Sequence, residues 1–272
     1  MTEVAPLLAG AAVAAVLCLL LAAGVRHAQA TQRPKPAHGG ASLALFALGI
    51  LLFLLACGLP GTSVLPTMLG HVFLAFAVAP LLLLGVPRAA LLPLFAHRRS
   101  RRFLRALTRP ARAAVLFLVV LVLCYLPSVF NATLADEGLR FIEGLAVLAA
   151  SVLFWWPVVE PFATWDRELA GIGKLLYLFA GSAVLKALGF ILAIVPRPMY
   201  TLPAHAVPLW QLSVISDQQY AGWLMVSAGT FILLAAATVM CAHLLHEPDG
   251  ADSSPATNQH AARIHKSDAE LA

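Results

Sequence analysis

The most restrictive feature of this sequence is a series of long apolar stretches that contain almost no charged residue. Each has about the length of the roughly 20-residue helix that crosses ~30 Å of hydrocarbon. Backbone amides in hydrocarbon find no water, and the alternating polarity of a barrel strand is absent, so each stretch is expected to be a helix. We therefore predict an all-α integral membrane protein, a bundle of seven transmembrane helices. The stretches run over 4–25, 42–59, 69–86, 113–130, 141–159, 175–195 and 221–245.

Composition excludes several other classes of protein. Charged residues make up 11% of the chain and hydrophobic residues 61%, whereas ordinary soluble domains carry roughly a quarter charged residues. A soluble domain, a secreted disulfide scaffold and a nucleic-acid-binding domain are therefore excluded, despite a pI of about 9.3. We predict a transmembrane domain over 1–245 and a disordered cytoplasmic tail over 246–272, because that last segment is polar and rich in Ser, Asp and His.

The distribution of Lys and Arg predicts the orientation. If seven spans alternate in direction, fifteen of the seventeen loop cations fall on the side of the C-terminal tail, and only Arg140 and Arg197 fall on the other. By the positive-inside rule the N-terminus is outside and the C-terminus is cytoplasmic. The arginines of 98–112 are then expected to attract anionic lipid at the inner face. No nucleic-acid partner is expected, because these arginines lie in a short loop between two spans.

This topology places sulfur and imidazole side chains in the outward half of the protein. Met68 and His71 are three residues apart and share one helix face. Thiolate, thioether and imidazole together are the ligands that Cu(I) prefers, although Met and Cys are also ordinary packing residues. The candidate metal ligands are Cys57, Met68, His71, Met199 and His205.

Two charged side chains lie within predicted spans, Glu143 near the outer end of the fifth and Lys186 near the middle of the sixth. Intramembrane charges usually find partners, so we expect these two to pair, or Lys186 to extend toward the interface. Lys186 also motivates the alternative function, a small-molecule or copper transporter. No GxSxG, HExxH or other catalytic pattern occurs, and no enzymatic activity is expected.

Three segments and one dipeptide resemble the CtaG family of cytochrome c oxidase assembly factors. Residues 217–225, DQQYAGWLM, resemble the family signature DQQxAGxLM. Residues 79–87, APLLLLGVP, are similar to the end of the family's third helix, 154–159 to its FWWP element, and Leu126-Pro127 to its pre-loop proline. The residues that carry the resemblance include Pro80, Pro157, Asp217, Gln218, Gln219, Gly222 and Met225.

The resemblance implies a seven-spanning, multi-pass protein of the bacterial inner membrane that assists oxidase maturation. It implies support of copper-centre maturation on the outer face, or a scaffold for an oxidase subunit. The implied partners are oxidase subunits or copper chaperones, and the implied cofactor, if any, is Cu(I).

This chain departs from the family pattern at most of the family's histidines. The resemblance implies two His pairs with a spacing of four, but the first pair reads His71 and Ala75 here, and the second reads Arg140 and Gly144. A pair of imidazoles at that spacing can chelate a metal ion, whereas one imidazole cannot. Two expectations follow. In the first, His71 works with Met68, Cys57 and either Met199 or His205 in a reworked Cu(I) site; in the second, the protein is a scaffold without metal.

The signature segment also has expected structural roles. Asp217, Ala221 and Met225 share one helix face at a spacing of four, and Gly222 and Gly229 suit close helix packing. We expect Asp217 to cap the N-terminus of its own helix.

Overall fold

A computed structural model of the chain describes residues 11–15, 39–59, 61–86, 91, 97–160, 169, 171–204 and 209–246. Over these ranges the chain is helical and contains no strand, which confirms the all-α prediction. The main helices are α1 (Gly39–Cys57), α2 (Val64–Gly85), α3 (Arg98–Leu107), α4 (Pro110–Cys124), α5 (Pro127–Ala135), α6 (Glu137–Val159), α7 (Gly171–Ile194) and α8 (Val214–His246).

Three described helices are long and apolar enough to cross a membrane: α2, α6 and the part of α7 over Ile172–Ile194. A fourth span results if α3 and α4, which are bent by 71° at a short break, count as one. A shorter apolar helix covers Ala41–Cys57. The structure thus supports an all-helical membrane protein with three or four candidate spans, a smaller number than the predicted seven.

The predicted stretch 113–130 is not one helix. Helix α4 ends at Cys124, and α5 begins at Pro127 after an extended Leu126 with φ −64° and ψ 132°. A residue before proline is driven from helical to extended conformation by its steric clash with the proline ring. The break at this point therefore follows from Pro127.

Helix α6 lies at the centre of the packing, in contact with α2 and α4. Its Phe154 ring stacks between Phe117 of α4 and Tyr177 of α7, with centroid distances of 4.5 and 4.8 Å. The Tyr177 hydroxyl also donates a hydrogen bond to the Phe154 carbonyl at 2.8 Å. These contacts hold the three helices in register around one buried aromatic side chain.

Helices α7 and α8 approach closely at glycines, as the sequence predicted. A Cβ atom on Gly189 would lie 2.8 Å from the carbonyl oxygen of Gly222, and one on Gly222 would collide with the Gly189 carbonyl oxygen. About two helical turns further along α8, Gly229 packs against the stem of Lys186. The backbones can meet at this distance only where no side chain separates them.

The chain divides into two compact units, Met1–Leu233 and Leu234–Ala272. Every side-chain contact discussed below lies within the first unit. Apart from His246, which ends α8, the predicted cytoplasmic tail lies outside the described residues.

Candidate functional site

A cavity of about 60 Å³ opens beside α1, α2 and α6. Most of its lining is apolar, and its polar groups include the Cys57 thiol, the His71 imidazole and the Arg140 guanidinium. Cys57 ends α1, and a turn reverses the chain so that α2 begins at Val64. That reversal brings Cys57 and His71 to the same cavity, although fourteen positions separate them in sequence.

A buried His–Glu pair adjoins this cavity. His71 Nε2 lies 3.7 Å from Glu143 Oε2, and the two side chains are only 5% and 4% exposed. This separation is too long for a hydrogen bond. His71 Nδ1 and both Glu143 carboxylate oxygens have no hydrogen-bond partner in the described structure. Buried polar atoms are almost always satisfied in native proteins, so this cluster marks a place that could hold water, a proton or a metal ion.

Other polar side chains surround the pair. The Tyr125 ring centroid lies 5.9 Å from that of His71, and Cys124 and Thr133 lie beside the Glu143 carboxylate. The Tyr200 hydroxyl donates a hydrogen bond to the Tyr125 carbonyl at 3.1 Å. The loop after α7 is thereby tied to the end of α4 next to the site.

The five predicted metal ligands do not all come to one place. Cys57 and His71 line the cavity, whereas Met68 is fully buried and is not among the lining residues. Met199 is half-buried in the loop after α7, and His205 lies outside the described residues. Where side chains are described, no three of His, Cys, Asp and Glu form a group that could hold a metal ion. The Cu(I) site remains a prediction.

Asp217 caps a helix, but not the one that the sequence suggested. Its carboxylate accepts hydrogen bonds from the Val64 amide at 2.8 Å, the Leu65 amide at 3.3 Å and the Ser63 hydroxyl at 3.2 Å. These groups form the N-terminus of α2. The prediction of a cap on α8 is wrong because α8 begins at Val214, and Ser213 accepts the hydrogen bond of the Ser216 amide there.

Gln218 fixes the loop that follows α7. Its Oε1 accepts a hydrogen bond from the Met199 amide at 2.7 Å, and its Nε2 donates to the carbonyls of Leu192 and Arg197, each at 3.4 Å. Gln219 is only half-buried. Asp217, Ala221 and Met225, which their spacing places on one face of α8, are all fully buried.

The expected pairing of Glu143 with Lys186 does not occur. The Glu143 carboxylate faces His71 instead. The Lys186 stem packs over Gly229, where its Cε and Cγ would lie 3.2 and 3.3 Å from an added Cβ. The lysine stem is thus directed toward α8.

Pro80 and Pro157 both lie within helices, and Pro80 has a specific structural consequence. A π-helical stretch, Leu74–Val78, interrupts α2, and the Ala79 amide donates to the Leu74 carbonyl. The next bond of that pattern would join residue 80 to the Ala75 carbonyl, but Pro80 has no N–H. Trp155 Nε1 donates to this carbonyl instead, at 2.8 Å. Pro157 is buried near the end of α6.

The comparison with protein families decides the identity of the chain. The model of the cytochrome c oxidase caa3 assembly factor family, Caa3_CtaG, matches residues 4–247. The chain belongs to the Caa3_CtaG family. No curated protein and no solved structure matches it.

Family membership supports an assembly role for cytochrome c oxidase, which implies association with oxidase components. It favours a non-catalytic role and does not favour the transporter alternative.

In this Caa3_CtaG protein, the four positions where the resemblance implies histidines lie close together. His71, Arg140 and Gly144 line the cavity, and Ala75 lines a smaller pocket beside His71. The sequence thus indicated four positions that the structure brings into one region of the bundle. It did not reveal the pairing of Glu143 with His71, because residues 72 positions apart carry no shared pattern in a single sequence.

Arg140 has a structural partner that sequence reasoning missed. Its Nη1 donates to the Gly61 carbonyl at 3.2 Å, and its Nη2 lies 3.9 Å from Glu137 Oε1. The guanidinium lies so close to Gly61 that an added Cβ would collide with it. Gly61, two residues before the N-cap of α2, was the only signal that a side chain approaches this turn.

Proposed function

We propose that this protein is an assembly factor for a bacterial cytochrome c oxidase and acts in the inner membrane. The family match over residues 4–247 carries the proposal. We further propose seven spans with the N-terminus outside and the C-terminus in the cytoplasm. The asymmetry of loop Lys and Arg supports that orientation.

The proposed role on the outer face is support of copper-centre maturation. In one version, Cys57 and His71 hold Cu(I) as cargo on its way to the oxidase or from a copper chaperone. A thiol and an imidazole in one largely apolar cavity suit Cu(I), and the unpartnered polar atoms around His71 favour a bound group. In the other version, the protein holds an oxidase subunit or a copper chaperone without binding metal.

Deletion of the gene tests the assembly role. We expect the deletion strain to contain less assembled oxidase, measured by the haem a absorbance of membranes and by the copper content of the purified enzyme. The wild-type gene should restore both quantities. Normal oxidase and normal copper in the deletion strain would contradict the proposal.

Titration of the purified protein with Cu(I) against a chromophoric chelator separates the two versions. We expect at most one Cu(I) per chain, and a loss of affinity of about tenfold or more, equivalent to ~1.4 kcal/mol, in His71→Ala. His97→Ala is the matched control, because His97 is exposed just before α3 and is not a cavity residue. Unchanged affinity in His71→Ala would exclude His71 as a ligand and favour the scaffold version.

A further inference from the structure

Helix α3 differs in composition from the other helices that the structure describes. Its ten residues, RRSRRFLRAL, include five arginines. No residue of this helix is buried, and Phe103 is 64% exposed. A hydrocarbon span is excluded for a helix with this charge density.

The two kinds of side chain lie on opposite faces of α3. At 100° per residue, Arg98, Arg101, Arg102 and Arg105 fall on one side, and the three large apolar residues fall on the other. The apolar residues are Phe103, Leu104 and Leu107. A short helix with a basic face and an aromatic and aliphatic face is typical of segments that lie in a membrane interface.

The bend after α3 gives this helix the orientation that an interfacial position requires. Its axis is turned by 71° from that of the apolar α4, so α3 lies near the membrane plane if α4 enters the membrane. Two hydrogen bonds close the connection: the Thr108 hydroxyl donates to the Leu104 carbonyl at 2.8 Å, and Arg112 Nη1 donates to the Ala106 carbonyl at 3.3 Å.

The charge of the chain around α3 indicates which kind of partner this helix binds. Residues 86–135 contain eight arginines and no Asp or Glu. This stretch of chain carries charge of one sign and attracts anions, and an anionic leaflet attracts each nearby arginine by about 1 kcal/mol. Exposure of the apolar face to water is unfavourable, and lipid acyl chains next to the phosphates bury this face.

We propose that α3 lies in the headgroup region of the leaflet beside α4 and binds the phosphate groups of anionic phospholipids through its arginine face. Phe103, Leu104 and Leu107 then contact the upper acyl chains. The inference rests on the proposed membrane insertion of α4, but not on a role in oxidase assembly.

Lipid retention by the full-length protein tests this inference. The protein is extracted from vesicles of equal parts phosphatidylglycerol and phosphatidylcholine, and the retained lipids are counted by native mass spectrometry. We expect phosphatidylglycerol to be enriched, and the enrichment to fall about tenfold or more when Arg98, Arg101 and Arg102 are all changed to Gln. Each lost charge weakens the attraction about fivefold before salt screening.

A matched triple variant with Lys at the same three positions serves as the control. Arg, Lys and Gln have similar helix propensities, so neither variant should unfold the helix. Because Lys keeps the positive charge, only the Gln variant should lose the enrichment. Equal phosphatidylglycerol enrichment in the wild type and the Gln variant would overturn the inference.

The position of Phe103 provides a second measurement. A nitroxide is attached at Phe103→Cys in a chain whose native cysteines are replaced by Ser, and the protein is reconstituted in the same vesicles. We expect more relaxation by oxygen, which dissolves in acyl chains, than by a water-soluble nickel chelate. The reverse order would overturn the interfacial position. Neither measurement involves the oxidase, so the outcome is independent of the deletion experiment.

Discussion

Single side chains make the connections that organise this molecule around its cavity. Asp217 joins α8 to the start of α2 through three hydrogen bonds, and Arg140 joins α6 to the turn before α2. Both attachments hold the N-terminal turn of the helix that carries His71. The geometry of the cavity therefore depends on Arg140, which lines it, and on Asp217, which does not.

Replacement of Asp217 should show how much the cap of α2 contributes. In Asp217→Ala the Val64 and Leu65 amides and the Ser63 hydroxyl lose their buried acceptor, and we expect a loss of about 2–4 kcal/mol in the free energy of unfolding. Asp217→Asn should recover at least half of this loss, because the amide oxygen can still accept from the two backbone amides. Equilibrium unfolding in mixed micelles measures both variants.

Asp136→Ala is the control for this series. Asp136 caps its own helix by accepting from the Leu139 amide at an exposed site, at 2.8 Å, so we expect a cost of only about 1 kcal/mol. Equal losses in Asp217→Ala and Asp136→Ala, or no recovery in Asp217→Asn, would show that the three-donor cap is not what Asp217 contributes.

At the scale of the helices, the π-helical stretch of α2 connects two family motifs. Pro80 leaves the Ala75 carbonyl without a backbone donor, and the indole of Trp155, in the FWWP element of α6, supplies one. This bond lies four residues along α2 from His71, so it holds α2 against α6 next to the site. One residue of each motif, Pro80 and Trp155, thus determines which group binds the Ala75 carbonyl.

A double-mutant cycle tests the hypothesis that Pro80 and Trp155 act at the same carbonyl. Trp155→Phe should destabilise the protein by about 0.5–2 kcal/mol, the range of interhelical hydrogen bonds in membranes. Pro80→Ala should then offset part of this loss in the double variant, because it restores an N–H that can reach the Ala75 carbonyl. Trp223→Phe, at an exposed position of α8, should change stability by less. Strict additivity of the two changes would contradict the contact.

Sequence patterns predicted the contacts that depend on spacing along one helix. The close approach at Gly222 and Gly229, and the common helix face of Asp217, Ala221 and Met225, follow from periodicity. Contacts between distant elements could not be predicted in this way. Whether Glu143 faces His71 or Lys186 depends on how α6 rotates against its neighbours, and nothing in the amino-acid order of α6 alone fixes that rotation.

At the scale of the whole molecule, the distribution of charge is the property that the sequence predicts best. The loop cations predict a direction for every span, and α3 concentrates five of them at one end of α4. The number of spans is harder to obtain, because a helix such as α4 is only fifteen residues long and is followed by a proline break. Hydropathy averages over that break and reports one span.

Reporter fusions test the proposed orientation of the C-terminus and of the loop before α8. The proposed seven spans would put the two termini on opposite sides, and the cation asymmetry predicts a cytoplasmic C-terminus. We expect a green fluorescent protein fused after residue 272 to fluoresce, and alkaline phosphatase at the same point to be inactive. Alkaline phosphatase inserted after Met199, in the loop that joins α7 to α8, should be active, because that loop is proposed to face outward. Activity of the phosphatase at the C-terminus would reverse the orientation, and with it the assignment of the Cys57–His71 cavity to the face where the oxidase receives copper.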